Sequence, residues 1–226
     1  AVLSVVGLLP TMIAGLDPTA IRDGAAAVLD ETLAARTPAD SAPASGAALS
    51  IGLAQECGIA ATVIMPYLDR LANFTAWHRQ LWAESLGKGG AGTTPINAIG
   101  TVDQHSQLQL YLDGPADKMF TVICGPSSGA GDPVTEGGID YLEGRRMGDL
   151  LDACQRATAK TLAARGRPVR IMELSVMNER TMGALMMHFM LETIIAGHLL
   201  GVDPFDQPAV EEGKNLTRRY MAEFDA

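Results

Sequence analysis

The chain has 226 residues, of which 47% are apolar and 19% are charged, a composition that is typical of a globular protein and excludes a disordered or fibrous one. Its net charge of −9 argues against binding to nucleic acid, which needs a basic face, but still allows a small anionic ligand held by a local cluster of donors. The three widely spaced cysteines lack metal-ligand spacing and indicate reduced, buried thiols in a cytoplasmic protein: Cys57, Cys124 and Cys154.

The first segment, AVLSVVGLLPTMIAGL, is apolar and has neither an initiator methionine nor a basic region before it. A signal peptide would need that basic region, so we expect residue 1 to be a cut within a longer polypeptide. A second apolar segment near the end is interrupted by His188, Glu192 and His198. We therefore expect neither segment to span a membrane.

Four short apolar runs bounded by Gly, Pro or Ser predict strands that are buried on both faces of a sheet. These runs are 61–67, 95–101, 119–125 and 169–175. Helical patterns alternate with them, at 17–36, 46–57, 67–86, 146–165, 179–199 and 207–224. This alternation predicts an α/β fold of flavodoxin-like or Rossmann-like type, in which a parallel sheet is flanked by helices on both faces.

The remaining segments complete this domain organisation. The Pro- and Ser-rich segment 36–46 predicts a surface loop, and the glycine-rich segment 125–138 predicts a mobile one. The last helix comes after the final strand, and we expect it to pack back across the body as a C-terminal helical arm. We therefore divide the chain into a main domain, 1–200, and an arm, 201–226.

Ligands of open parallel sheets bind at the carboxyl ends of the strands, so polar residues after each strand are candidates. Gln80 and Glu84 lie four positions apart and share a face of the helix that ends before Gly87. A carboxylate at a helix C-terminus opposes the helix dipole. If Glu84 is exposed, it is an ordinary solvated residue. If it is buried beside a sugar, it is a usable base.

Two further candidates come later in the chain. His105 lies where the second strand gives way to a helix, and either serves a site or is satisfied by the nearby Asp103. The glycine-rich segment GKGGAG, residues 87–92, only weakly resembles an anion-binding loop, because a helix precedes it and a strand comes after it.

The segment DPFDQPAVEEGK, residues 203–214, has the pattern of a helix start, with Pro208 in the first turn and Asp206 or Gln207 as the cap. Gln207 and Lys214 are seven positions apart, so on a helix they project from nearly the same face. Lys214 is alternatively a surface lysine paired with Glu211.

Together these residues suggest a base, a histidine, a lysine and amides around one pocket. The sequence contains neither a set of metal ligands nor a dinucleotide fingerprint, so we expect neither a metal nor another cofactor. Such a set suits cofactor-free proton transfer next to a carbonyl.

Several of these segments, in order, resemble the glucose-6-phosphate isomerase family. GVDPFDQPAVEEGK (201–214) is close to the C-terminal signature of that family. QLWAESLGKGG (80–90) resembles the segment with the family's catalytic glutamate, and GTVDQHSQLQLYLDGP (100–115) the segment with its catalytic histidine. The opening AVLSVVGLLPTMIAGLD resembles the segment directly after the family's glycine-glycine-arginine motif, so the resemblance covers essentially the whole chain.

The resemblance implies a role for each candidate residue. Glu84 would move a proton between C2 and C1 of the open-chain sugar through a cis-enediol. His105 would assist ring opening, and Lys214 would act with it. Gln207 matches a residue near the phosphate, and Gln80 one that holds sugar or phosphate oxygens.

The resemblance also implies partners and a location. Members of the family have two sugar-isomerase domains and are cytoplasmic homodimers in which the histidine enters the neighbouring active site. The chain would supply the second domain and the arm, would need the N-terminal half of the polypeptide, and would bind a hexose 6-phosphate. Most of the phosphate cradle and the family's arginine would lie outside residues 1–226, so we expect these residues alone to be inactive.

A different class of function stays open. Sugar-isomerase domains also serve as non-catalytic sensors that bind sugar phosphates in regulators. A sensor needs ligand contacts but no base, so the presence of Glu84, His105 and Lys214 in their expected segments favours the isomerase.

Overall fold

The computed structural model describes residues 2–135 and 139–224. A four-stranded sheet lies at its centre, made of β1 (Ala61–Pro66), β2 (Thr94–Asn97), β3 (Lys118–Cys124) and β4 (Val169–Glu173). The strands are all parallel and lie in the order β2-β1-β3-β4. The predicted α/β fold with a parallel sheet is confirmed.

Helices connect and cover these strands. In chain order they are α1 (Val5–Ile13), α2 (Pro18–Ala34), α3 (Ala42–Cys57), α4 (Ala72–Leu86), α5 (Val102–Ser106), α6 (Leu108–Asp113), α7 (Met147–Ala164), α8 (Glu179–Leu200) and α9 (Glu211–Glu223). Short 3-10 turns occur at Pro38–Asp40, Asp69–Leu71 and Pro208–Val210.

The two faces of the sheet bury different side chains, because successive residues of a strand point to opposite faces. Val63 on β1 faces a cluster that includes Tyr111 of α6 and Leu162 of α7. Its neighbour Ile64 faces a cluster that includes Phe74 of α4 and Phe189 of α8. Helices therefore cover both faces, as the apolar strands predict.

The two central strands are buried almost throughout, but the two edge strands are not. On β4, for example, Ile171 is exposed. The expectation that all four strands are buried on both faces is therefore wrong for β2 and β4. Each of these has a neighbour on one side only, and the helices do not fully cover the edges.

Helix α8 packs closely against α2, α3 and α4. Its contact with α2 is made through two glycines. A Cβ on Gly183 would lie 1.8 Å from the carbonyl oxygen of Ile21, and a Cβ on Gly24 would lie 1.8 Å from that of Arg180. By length and composition α8 could cross a membrane, yet its buried residues lie in the protein core, as in the core helix of a globular domain.

Several elements differ from the sequence-based expectation. Helix α3 begins at Ala42, because Ser41 caps it by accepting a hydrogen bond from the Ala44 amide, so half of the expected loop 36–46 is helical. The apolar first segment forms α1, and the helix expected after the second strand is present as two short helices, α5 and α6. The loop predicted at 125–138 is non-helical up to residue 135, and 136–138 lie outside the described residues.

Two expectations about burial are wrong. None of the residues of α9 is buried, so this helix does not pack back across the body within the chain. Cys57 is exposed at the end of α3, while Cys124 and Cys154 are half-buried. All three cysteines are free thiols.

Candidate functional site

The connections of the sheet place two candidate segments at its amino edge, the edge where the parallel strands begin. Helix α4 starts beyond the carboxyl end of β1 and returns to the start of β2, where the Trp82 indole donates a 3.0 Å hydrogen bond to Thr93 Oγ1. Helix α8 returns from the carboxyl end of β4 in the same way. The end of α4 and the segment after α8 therefore meet at the amino edge.

A cavity of about 390 Å³ lies between these two segments. Glu84 in the last turn of α4, Lys88 in the glycine-rich turn and Gln207 after α8 line it, together with apolar atoms of Pro208 and Val210. This volume is within the range of small-molecule sites, roughly 300–1,000 Å³. The structure thus brings together side chains that are far apart in the sequence.

Glu84 is exposed at this cavity and has one amide neighbour. Gln80, one turn earlier on α4, donates a hydrogen bond of 3.0 Å from Nε2 to Glu84 Oε1. The predicted shared face of Gln80 and Glu84 is therefore present. Because the carboxylate lies at the C-terminal end of α4, the helix dipole does not stabilise its charge.

Gln207 reaches the cavity in a different way from the one the sequence suggests. Its backbone is not helical, with φ −153° and ψ 64°, and Pro208 opens a 3-10 turn rather than the helix. Helix α9 begins only at Glu211. The argument that Gln207 and Lys214 share a helix face is therefore wrong, and neither Asp206 nor Gln207 caps α9.

Lys214 lies on α9, half-exposed to solvent. Its ammonium is 2.6 Å from the carboxylate of Glu211, one turn earlier. Lys214 is not one of the described residues that line the cavity. Within this chain, Lys214 and Glu211 therefore form a surface ion pair.

His105 lies on α5, which comes after the carboxyl end of β2, and its side chain is exposed. The alternative in which His105 is satisfied by Asp103 is not supported, because no hydrogen bond between them occurs among the described residues. Asp103 instead accepts hydrogen bonds from Gln107, Ser106 and the Ile99 amide. Burial raises the pKa of Asp103, but these three hydrogen bonds outweigh it and bring the pKa below its usual value.

Glu84 and His105 therefore lie at opposite edges of the sheet. A strand of six residues such as β1 is about 20 Å long, so the amino and carboxyl edges of the sheet are separated by a distance of this order. The expectation that candidates lie at the carboxyl edge holds for His105 and is wrong for Glu84. Within one chain, Gln80, Glu84 and Gln207 come together, whereas His105 and Lys214 do not join them at the cavity.

Lys88 is the residue of this site that the sequence did not single out. Its ammonium lies 2.9 Å from the carboxylate of Asp206 and also donates to the carbonyl of Asp203. The sequence segment 87–92 was considered only as an anion-binding loop. A lysine directly after a helix end and before two glycines is the signal that could have indicated it.

The cavity offers the Glu84 carboxylate, which can accept a proton, and the Gln207 amide, which can hydrogen-bond to hydroxyl or anionic oxygens, while the Lys88 ammonium is paired with Asp206. In the part of the chain that the structure describes, no group of three His, Cys, Asp or Glu side chains could hold a metal ion.

Comparison with known proteins identifies the relatives of this chain. No protein-family model matches it. It is 41% identical, over 228 aligned positions, to the glucose-6-phosphate isomerase of Rubrobacter xylanophilus, in an alignment that covers 98% of this chain and 52% of that protein. The chain is a homologue of glucose-6-phosphate isomerases. It spans about half the length of the curated relatives it matches, and the family recognised from its motifs is confirmed.

Two solved structures share the fold. The crystal structure of a hypothetical protein from Thermus thermophilus superposes with a TM-score of 0.88 at 36% identity, covering 97% of this chain and 54% of that one. A glucose-6-phosphate isomerase from Chlamydia trachomatis superposes with a TM-score of 0.80 at 22% identity, covering 99% of this chain and 47% of that one. The parallel sheet with its covering helices is therefore an arrangement found in a glucose-6-phosphate isomerase.

Proposed function

We propose that this chain forms the C-terminal half of an aldose–ketose isomerase that interconverts glucose 6-phosphate and fructose 6-phosphate. The observation that supports this proposal is the cavity at the amino edge, where Glu84 and Gln207 lie together in a chain whose curated relatives are named for that enzyme. The proposed compartment is the cytoplasm.

Glu84 is the proposed base. Its carboxylate takes the proton from C2 of the open-chain glucose 6-phosphate, which gives the ionised form of the cis-enediol, and the hydroxyl proton of O2 passes to O1. The protonated Glu84 then returns its proton to C1, which gives fructose 6-phosphate and restores the carboxylate. No proton is gained or lost overall. The Gln80 amide bonds to Glu84 Oε1 and orients the carboxylate, which leaves Oε2 without a hydrogen-bond partner among the described residues.

The other candidate residues bind or assist in this scheme. The amides of Gln80 and Gln207 donate hydrogen bonds to oxygens of the sugar or of the phosphate. The negative charge of the phosphate strengthens the bonds to its oxygens. His105 assists ring opening by moving a proton between the ring oxygen and O1, and Lys214 acts with it. For Lys214 to do so, it must exchange its bond to Glu211 for one to the substrate.

His105 acts in the active site of a second copy of the chain in this proposal. The position of His105 at the carboxyl edge, opposite the edge where Glu84 lies, supports a contribution in trans. The active form is then a homodimer of the complete polypeptide, including the N-terminal half. The proposed division into a domain, 1–200, and an arm, 201–226, is supported by α9, whose residues are not buried against the rest of the chain.

The substitution Glu84→Gln in the complete polypeptide tests this function. The amide keeps the shape and hydrogen bonding of the side chain but cannot accept the proton, so turnover should be abolished while fructose 6-phosphate still binds, measured by coupled assay and calorimetry. Glu56→Gln is the matched control, since Glu56 is also exposed in the last turn of a helix. Undiminished turnover in Glu84→Gln refutes the proposed base, and binding without turnover in the unsubstituted protein favours the sensor.

A second experiment compares the complete polypeptide with residues 1–226 alone. Oriented donors where charge develops supply a large part of catalysis, and we propose that the N-terminal half provides most of the phosphate contacts. The 226 residues alone should therefore show no measurable isomerisation of fructose 6-phosphate. Measurable isomerisation of fructose 6-phosphate by these residues alone contradicts this.

A further inference from the structure

Lys88 connects the two segments that form the cavity. It lies two positions beyond the end of α4, and Gly89 and Gly90, both with positive φ, turn the chain away directly after it. Its side chain is only 13% exposed, whereas lysines are almost never buried unless they are paired. Its partners both belong to the segment after α8: the carboxylate of Asp206, at 2.9 Å, and the carbonyl of Asp203.

The segment from Asp203 to Gln207 has few other anchors to the body. The Phe205 amide donates to the Asp203 side chain within the segment, and Val202 donates back to the last turn of α8. Pro204 packs against Gly197 of α8, while the ring of Phe205 is exposed. The contacts of Lys88 thus join this segment to α4, on which Glu84 lies.

The charge of Lys88 also bears on an anionic ligand. Asp206 is half-exposed and directly precedes Gln207, so its carboxylate lies close to the cavity. A negative charge there would repel a phosphate. The paired ammonium neutralises it.

We propose that Lys88 is a positioning residue, which holds the 203–207 segment so that Gln207 faces Glu84 across the cavity and which cancels the charge of Asp206. This inference rests on the proposed isomerase function. Lys88 is not a ligand of the substrate in this proposal, because two of the three N–H donors of its ammonium are directed to Asp206 and to the Asp203 carbonyl and its charge is balanced by Asp206.

Kinetics of Lys88→Met in the complete polypeptide test the effect on the reaction. Misplacing a group that positions substrate costs roughly 10- to 100-fold, so we expect kcat/KM to fall by that factor, mainly through a higher KM for fructose 6-phosphate. Lys88→Arg, which keeps the charge and donors, should recover most of the loss. Lys160→Met removes an exposed lysine of α7 and is the control.

A double-mutant cycle with Asp206→Asn separates positioning from direct binding. If Lys88 acts through Asp206, the two substitutions together cost no more than Lys88→Met alone, since both break the same pair. If Lys88 binds the phosphate itself, the costs add or Asp206→Asn improves binding by freeing the lysine. Either of the latter results overturns the proposal, as does an unchanged kcat/KM in Lys88→Met.

Hydrogen exchange of the 226-residue chain provides a readout that does not depend on activity. In Lys88→Met the Phe205 amide, which donates to the Asp203 side chain, should lose protection, while the amides of β1 and β3 keep theirs. Because Asp206 is half-exposed, solvent screens its pair with Lys88 and the pair contributes little to global stability, so Tm should change little. Unchanged exchange of the Phe205 amide overturns the proposal even if the complete polypeptide is an isomerase. Faster exchange in a protein without isomerase activity refutes the proposed function instead.

Discussion

The polar residues of this chain occupy two contrasting regions. The first region is the buried side of α8. There Glu192 is 1% exposed, accepts a hydrogen bond from Arg170 at 2.8 Å and is hydrogen-bonded to His188 at 3.0 Å. In the second, at the amino-edge cavity, Glu84 is exposed and has the amide of Gln80 as its partner. The carboxylate in the core is enclosed with its partners and cannot reach a ligand, whereas the one at the cavity can.

This contrast separates residues that maintain the fold from residues that can bind. Burial raises the pKa of Glu192, but the hydrogen bond from His188 and the charge of Arg170 outweigh it, so the pKa lies below its usual value and the carboxylate stays ionised. Substitutions in the core should therefore change stability, and substitutions at the cavity should change activity at nearly constant stability.

The largest effect on stability is expected for Glu192→Ala. Removing one partner leaves the Arg170 charge buried without compensation, which costs about 3–5 kcal/mol. Urea unfolding of the chain measures this cost. Glu56→Ala, at an exposed carboxylate, should stay within about 0.5 kcal/mol. A loss below about 1 kcal/mol for Glu192→Ala means that the core cluster is not a paired network.

The next effect is a loss of stability at acid pH that comes from His78. Burial lowers the pKa of this histidine from 6.5 to about 4, and the Glu192 charge offsets this only in part. The unfolded chain takes up the proton below about pH 6.5 and the folded chain only near pH 4. The part of the free energy of unfolding that depends on a neutral His78 is therefore fully present above pH 6.5 and is lost as the pH falls from 6.5 to 4. The total loss is at most about 3 kcal/mol.

Unfolding free energies at about pH 7, 5.5 and 4 test this for the unsubstituted chain, His78→Gln and His198→Gln. His78→Gln should be less stable at neutral pH but should show a smaller loss between pH 6.5 and 4. His198 is exposed, so His198→Gln should keep the full loss. If the unfolding free energy falls equally with pH in His78→Gln and His198→Gln, His78 is not the group responsible for the loss of stability at acid pH.

A smaller effect is expected where α2 and α8 touch. A methyl group at Gly183 would collide with the carbonyl of Ile21, so Gly183→Ala should cost about 1–3 kcal/mol by thermal unfolding. Gly52 lies on α3 with open space at its Cβ position, and Gly52→Ala should instead stabilise the chain by about 0.5–1 kcal/mol. Equal effects of the two substitutions would show that α2 and α8 can separate at little cost.

The smallest effect on stability is expected for Lys214→Met. The pair with Glu211 is half-exposed, and such pairs contribute about 0–1 kcal/mol. Isomerase turnover of the complete polypeptide should nevertheless fall if Lys214 assists ring opening. A large loss of stability with unchanged turnover would assign Lys214 to the fold and contradict its proposed role.

The strands and the main helices could be predicted because their signals are local. Near-continuous apolar runs such as 119–125 and 61–67 occur where strands are covered on both faces, and these became β3 and β1. The exposure of the edge strands was not recognised, although β4 contains Arg170 and Glu173 and has only one neighbouring strand. Burial of an edge depends on which helices cover it, and that is a tertiary property.

The site was harder to predict than the fold. Pro208 suits both an α-helix and a 3-10 turn, so the sequence could not show that Gln207 lies outside α9. The rule that ligands bind at the carboxyl edge placed Glu84 at the wrong edge, because α4 carries it back along the sheet. The contact of Lys88 with Asp206 joins remote segments, and no local pattern indicates it.

Because Glu84 and His105 lie at opposite edges of the sheet, the activity of the proposed homodimer should depend on the concentration of the protein. In the proposed homodimer, a lone subunit would contain both groups and still lack a working combination of them, so the rate per subunit should decline on dilution below the dissociation constant of the dimer. Mixing subunits that lack the glutamate with subunits that lack the histidine should, by contrast, restore one competent centre in each hybrid. Turnover in this protein would then be governed by mass action between identical chains.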